Sequence, residues 1–297
     1  MTLKIGIHAG PQNLSMDELS RLWRRGDEAG FHWISAWDHF YANPLKSRQD
    51  PCFEAVAAMA ALAAMTSRVR VGCLMFCALF RNPGVLAKAA TTIDHISGGR
   101  ADIGIGGGWF EEEFREFDYG FPPLGKRLDQ LEEAVQIMKS LWGGEETHFK
   151  GDYYDIAGAV CAPKPEGLRL WMGGFGRKRT PKMAAMYADG FNLPYLPPET
   201  VKDRLNCLAD ACADIGRDPD ELDTSVNVAF HLGEHSAPDI IPGGALLGSP
   251  AEVIDRLGEY EKTGVKGVNI AFRPPISWDA FEQFIEEVLP EFHQSSL

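Results

Sequence analysis

The sequence predicts an α/β protein that folds as a single (β/α)8 TIM barrel with insertion loops. Two observations carry this expectation. Short apolar runs alternate with helical patterns eight times from one end of the chain to the other, with no long linker between units. The 297 residues, 45% of them hydrophobic and 24% charged, suit one barrel domain of the usual ~250 residues plus insertions, so residues 1–297 are expected to form one domain.

Taken in order, Leu3–His8 (LKIGIH) is the first strand. Ser15–Ala29 follows with helical spacing. Asp17 and Glu18 suit the positive end of its dipole, and Gly30 suits its termination. Trp33–Trp37 is the second strand and Cys52–Met65 its helix. Val69–Phe76 is the third, with a helix from Pro83 to Ile96 that a first-turn proline favours. Ala101–Ile105 is the fourth, followed by an acidic segment, Phe110–Phe117, and a long helix near Arg127–Trp142. Residues 143–167 interrupt the rhythm, and within them His148–Ile156 reads as a small hairpin turning at Gly151. Leu168–Met172, Gly190–Leu193, Ser225–Phe230 and Gly267–Phe272 are strands five to eight. Their helices are Thr180–Ala188, Pro198–Ile215, Pro250–Glu261 and Trp278–Leu289. A second insertion is expected at 231–248; such loops often wall or cover a site.

The net charge of −13 argues against nucleic acid and anionic membranes as partners. The six cysteines make no C-x-x-C pair and no metal-like spacing with histidine, so they read as reduced thiols in a cytoplasmic protein. The start, MTLKIGIHAGP, lacks the pattern of a signal peptide, and the apolar run Ala55–Met65 is too short to span a bilayer.

A barrel of this kind carries its site where strands end at their C-terminal edge. After strand five comes Gly173-Gly174-Phe175-Gly176-Arg177-Lys178-Arg179-Thr180, running into a helix. Glycines admit close approach of an anion, the helix start offers free N–H groups, and the cations add charge, so this loop is read as a phosphate site. A glycine-rich turn with solvated cations is the plainer alternative. Gly104–Gly108 after strand four offers bare backbone against which a flat ring can lie, or simply tight packing at a strand end. Asp38-His39 after strand two is a charge and an imidazole suited to proton transfer, although adjacent residues of an extended strand face opposite ways. His8 closes strand one and is placed at the pocket, whereas Asp94-His95 sits on a helix and is given a structural role. A metal site would need His8, Asp38, His39 and His231 to converge, and no spacing supports one.

Three stretches, ISAWDHF at 34–40, 71–114 (from VGCLMFCALFRNPG to GIGGGWFEEEF) and MGGFGRKRTPKMAAMYADGFN at 172–192, resemble the bacterial luciferase-like monooxygenase superfamily, in its branch that uses coenzyme F420. The resemblance covers the first two-thirds of the chain and implies the same barrel. It implies that Asp38 and His39 face a deazaflavin ring, that Leu74–Met75 forms a non-prolyl cis peptide backing it, and that Cys77 lies nearby. Gly107 and Gly108 would approach the cofactor, and Gly173, Gly174, Gly176, Arg177 and Thr180 would hold its phosphate. His8, Trp37 and Trp109 are placed in the substrate pocket. Some relatives carry a glutamate just after the strand-four turn as an acid; Trp109 stands there in this chain, and neither Glu111 nor Glu112 is a clear substitute.

The resulting expectation is a coenzyme F420-dependent oxidoreductase that passes a hydride to or from a small organic substrate, with His39 as the catalytic residue and a homodimeric assembly implied by the resemblance. The alternatives are an FMN-dependent monooxygenase of the same superfamily, a non-catalytic cofactor-binding barrel, and a metal-dependent barrel lyase or hydrolase.

Overall fold

The structure, a computed structural model, describes residues 3–232 and 244–292. Its elements in chain order are β1 (Lys4–His8), α1 (Met16–Ala29), β2 (Trp33–Ala36), α2 (Ala55–Met65), β3 (Arg70–Cys77) and α3 (Pro83–Ser97). Then come β4 (Ala101–Gly106), α4 (Glu111–Glu116), α5 (Leu124–Gly143), β5 (Thr147–Lys150), β6 (Asp155–Ala159), β7 (Arg169–Gly173) and α6 (Arg179–Tyr187). The chain continues through β8 (Gly190–Pro194), α7 (Pro198–Ala213), β9 (Asp223–Leu232), β10 (Ala245–Gly248), α8 (Pro250–Glu261), β11 (Gly267–Ala271) and α9 (Trp278–Gln283).

Eight strands close into a parallel barrel in the order β1-β2-β3-β4-β7-β8-β9-β11, with β11 pairing back onto β1. The closure that an alternation of strands and helices predicts is therefore present. The β5–β6 pair is a separate antiparallel hairpin whose strands meet across Gly151.

Local chemistry sets the helix ends. Ser15 accepts the N–H of Glu18, whose carboxylate returns to the Ser15 N–H, and Gly30 ends α1 in the left-handed region at φ 86°. Asn82 caps α3, with Pro83 in its first turn and Gly98 closing it at φ 68°. Three expectations shift. The second helix begins at Ala55 rather than Cys52, because Glu54 caps it through the N–H of Ala57 while Cys52 bridges to Gln12. β9 runs on through His231 and Leu232 and is joined there by β10, so both ends of the expected 231–248 loop are strand; residues 233–243 lie outside the described part. The last helix is α-helical only to Gln283; a π-helical turn over Phe284–Val288 and a 3-10 turn over Leu289–Phe292 follow, burying Phe284, Val288 and Leu289.

The main core lies between strands and helices, where Ile7, Ile34, Val71, Ile103, Leu170 and Phe191 are buried. Inside the barrel, Trp33 and Trp171 pack with ring centroids 4.6 Å apart and with Leu74 and Met75. These indoles fit only because Gly72 and Gly190 leave their faces clear; a Cβ at either would collide with a ring. Above them, Asn192 donates to Ser225 Oγ and Asn227 Oδ1, and Asn269 donates to Asn227 Oδ1 at 3.1 Å, so these polar side chains are paired with one another. At the opposite, N-terminal end, Asp102 is fully buried and receives Arg70 and Arg169. Arg169 continues to Asp223 and Asp223 to Lys4, so one ion network joins β1, β3, β4, β7 and β9.

Candidate functional site

The C-terminal ends of the barrel strands surround a cavity of about 830 Å³, within the range of small-molecule sites. Of the residues singled out from sequence, His8, Trp37, Asp38, His39, Leu74, Met75, Cys77, Gly107, Gly108, Trp109, Gly173, Gly174, Gly176 and Thr180 all line it.

Asp38 and His39 leave β2 in different directions and meet different partners. Asp38 is buried; it accepts the Cys77 N–H at 2.9 Å and both ends of the Arg81 guanidinium at 2.6 and 2.8 Å. Burial works against the charge on Arg81, but Asp38 and Glu54 more than offset it and hold the guanidinium above its ordinary range. Asp38 therefore fixes β2 to the end of β3.

His39 Nδ1 lies 2.8 Å from Glu113 Oε2. Glu113 is 1% exposed, and its Oε1 also accepts the backbone N–H groups of Phe40 and Tyr41 at 2.6 and 2.9 Å. An ionised carboxylate has no proton to give, so His39 Nδ1 donates to it and Nε2 is the nitrogen available to a ligand. Glu113 is the functional residue that sequence reasoning missed. The signal was there: Phe110 and Phe114, four positions apart, mark one side of a helical turn, and the third acid of Glu111-Glu112-Glu113 falls beside them.

Burial holds the His8 imidazole down at about 3, with further contributions from Arg273 and His39, so it is neutral at physiological pH. Its Nδ1 pairs with Ser35 Oγ at 2.9 Å, and its ring lies 4.9 Å from that of Trp37. Trp109 is 61% exposed, stacks on Phe110 and sets its edge toward His39 at 5.5 Å. Phe175 is exposed at the cavity rim as well. Two large apolar rings at the mouth are suited to covering a bound ligand.

The peptide between Leu74 and Met75 is cis, as the resemblance implies. The register of β3 against β4 shifts between Cys73 and Phe76, so Leu74 and Met75 both reach the cavity. The glycines divide into two kinds. Gly108 and Gly173 are required by packing, since a Cβ would strike Phe114 and Cys77, or Asn192 and Met75. Gly107 has ordinary clearance and Gly174 is almost open at φ 140°, so these two present bare backbone to the cavity.

Two of the three cations of the 173–180 loop turn away from the cavity. Arg177 is exposed, pairs with Asp203 at 2.9 Å and is not part of the cavity wall; Arg179 turns to Asp129 at 2.7 Å. Helix α7 and helix α5 supply those acids, and their charges draw the guanidiniums outward. The cations that do line the cavity are Arg127 and Arg273. Arg127 donates to the Pro122 carbonyl, lies over the Phe121 ring at 4.0 Å, and keeps a buried Nε with no partner. Among the described residues no three His, Cys, Asp or Glu side chains gather as metal ligands would.

A family model described as Luciferase-like monooxygenase matches residues 2–239. The chain is similar to an F420-dependent glucose-6-phosphate dehydrogenase of Amycolatopsis mediterranei, with 30% identity over 190 residues, 64% of this chain and 56% of that one. It is similar to a namesake from Microbacterium testaceum, with 29% identity over 243 residues, 79% of this chain and 70% of that one. The alignment thus spans little more than half of the first relative. Among solved structures, an F420-dependent secondary alcohol dehydrogenase in complex with an F420-acetone adduct superposes with a TM-score of 0.85 at 20% identity, covering 99% of this chain and all of that one, a likeness of fold. With the family model matched over most of its length, the chain belongs to the luciferase-like monooxygenase family.

Proposed function

We propose that the protein is a coenzyme F420-dependent oxidoreductase that moves a hydride between the deazaflavin and a small organic substrate. The observation that carries this reading is one cavity in which a clamped imidazole, His39 held by Glu113, shares the wall with the Leu74–Met75 bulge and the bare backbone of Gly107. The two sequence relatives are named for the same coenzyme, which supports it.

The residues present fit such a cofactor. Gly107 and Gly174 leave room for close approach, Thr180 is buried at the start of α6 with its hydroxyl beside Gly176, and the orphaned Arg127 Nε awaits an acceptor oxygen. When bound, the deazaflavin supplies a two-electron hydride donor or acceptor. The chain does the rest. Leu74, Met75 and Gly107 orient the ring, Trp109 and Phe175 exclude water at the mouth, and His39 Nε2 holds or releases the proton that accompanies the hydride.

The second reading is an FMN-dependent monooxygenase, favoured by the family's description. Fluorescence and absorbance titrations of the purified protein with coenzyme F420 and with FMN separate the two. The proposal expects binding of F420; tight FMN binding with no response to F420 overturns it. A cytoplasmic homodimer belongs to the same reading and is checked by sizing the protein in solution. Six free thiols support the location.

A further inference from the structure

We propose that Arg273 and Tyr195 form an oxyanion subsite, so that the substrate carries a carboxylate or a phosphate. This rests on the oxidoreductase reading, because it names the class of molecule the same cavity takes.

The cavity rim has two halves. Residues after β2, β3, β4 and β7 provide His39, the Leu74–Met75 bulge and the glycine loops. The remaining half, after β8, β9, β11 and β1, provides Tyr195, Asn227, Arg273 and His8. In that second half Arg273 is the cation, set in a chain of net charge −13. Its Nε is buried without a partner, and its guanidinium lies 5.3 Å from the Tyr195 ring. Among the described residues no carboxylate pairs with it. Both carboxylates that line the cavity are engaged elsewhere, Asp38 with Arg81 and Glu113 with His39. His8 is held neutral, so it neither competes for an anion nor neutralises one. A guanidinium beside the Tyr195 ring, with no carboxylate against it among the described residues, leaves its charge open to an anionic ligand. Its planar fork matches a carboxylate or a phosphate with two parallel hydrogen bonds.

The test uses intrinsic tryptophan fluorescence, to which Trp37 and Trp109 in the cavity contribute. The protein and its Arg273→Gln and Arg273→Lys variants are titrated with benzoate, phenyl phosphate and the uncharged benzyl alcohol. One or both anions are expected to bind about tenfold more tightly than the alcohol. The better anion identifies the headgroup, and equal affinities mark a site that reads charge alone. Arg273→Gln should lose the preference while keeping its affinity for benzyl alcohol, and Arg273→Lys should keep part of it. Anions that bind no more tightly than the alcohol, or a preference that survives Arg273→Gln, overturn the subsite. Titration of the same preparations with coenzyme F420 separates the two proposals. Anion binding on Arg273 without any F420 binding removes the redox reading and leaves the subsite; F420 binding without anion preference removes the subsite alone.

Discussion

Replacing Glu113 by glutamine tests the clamp on His39 with little change of shape. Glu113 accepts three hydrogen bonds, from Phe40 N at 2.6 Å, Tyr41 N at 2.9 Å and His39 Nδ1 at 2.8 Å. Glutamine keeps one oxygen, which can still serve the two backbone donors. Those bonds lose their charge assistance, roughly 1 kcal/mol each, so Glu113→Gln should destabilise the protein by about 2 kcal/mol. The amide nitrogen then faces His39 Nδ1, and a donor opposite that atom forces the proton onto Nε2. Glu113→Ala leaves both backbone donors orphaned in a buried place and should cost about 3–5 kcal/mol. Urea unfolding measures the stabilities, and ¹⁵N chemical shifts of the imidazole report which ring nitrogen is protonated. With a substrate in hand, turnover of Glu113→Gln should fall about 10²–10⁴-fold, the usual contribution of a positioned acid or base. A Glu113→Gln protein with unchanged stability and an unchanged His39 tautomer would refute the clamp.

Three further outcomes are expected. Asp27 is buried; burial pushes its carboxyl up, but the N–H groups of Ser67, Arg68 and Val69 and the Ser67 hydroxyl together hold it below its ordinary 3.8. A depressed carboxylate stabilises the fold above its unfolded value and loses that contribution as pH falls through the folded one. Asp27→Asn should therefore flatten the loss of stability below about pH 4 in acid unfolding curves; an unchanged acid slope would remove the assignment. His8, held at about 3, should show proton NMR shifts that stay flat from pH 8 to about pH 5, whereas a shift titrating near its unperturbed ~6.5 would show the ring to be wet. Arg177→Ala should leave cofactor affinity within about twofold, since its partner is Asp203, while Thr180→Val should weaken it by about tenfold. The reverse order in a fluorescence titration would return Arg177 to the site.

The barrel was legible because periodicity alone marks its units. The eighth strand and the helix Pro250–Glu261 were found almost to the residue, since each has one clear apolar face and turn residues at both ends. Errors fell where side chains overrule pattern: α2 starts at Ala55, capped by Glu54, rather than at Cys52, and β10 extends the sheet where a loop was expected. The site was legible in part. Glycine-rich strand ends and the Asp38-His39 pair stood out as types of residue. Their partners did not, because Arg81 and Glu113 lie 43 and 74 positions further along the chain and meet them only through the closed barrel. Charge in a sequence carries no direction, so the pairing of Arg177 with Asp203 was not legible, and Arg273, a lone arginine after strand eight, carried no local signal.

The ion network at the N-terminal end has a consequence for change at the other end. Lys4, Arg70, Asp102, Arg169 and Asp223 lace five of the eight barrel strands together, with no member in the cavity wall. Closure of the barrel and recognition at its mouth are thus held by separate sets of residues at separate ends. Energies of distant, unshared sites add nearly independently. Substitutions that retune the mouth can therefore accumulate without loosening the ring that holds it, and the fold can exchange one substrate for another while its foundation stays laced.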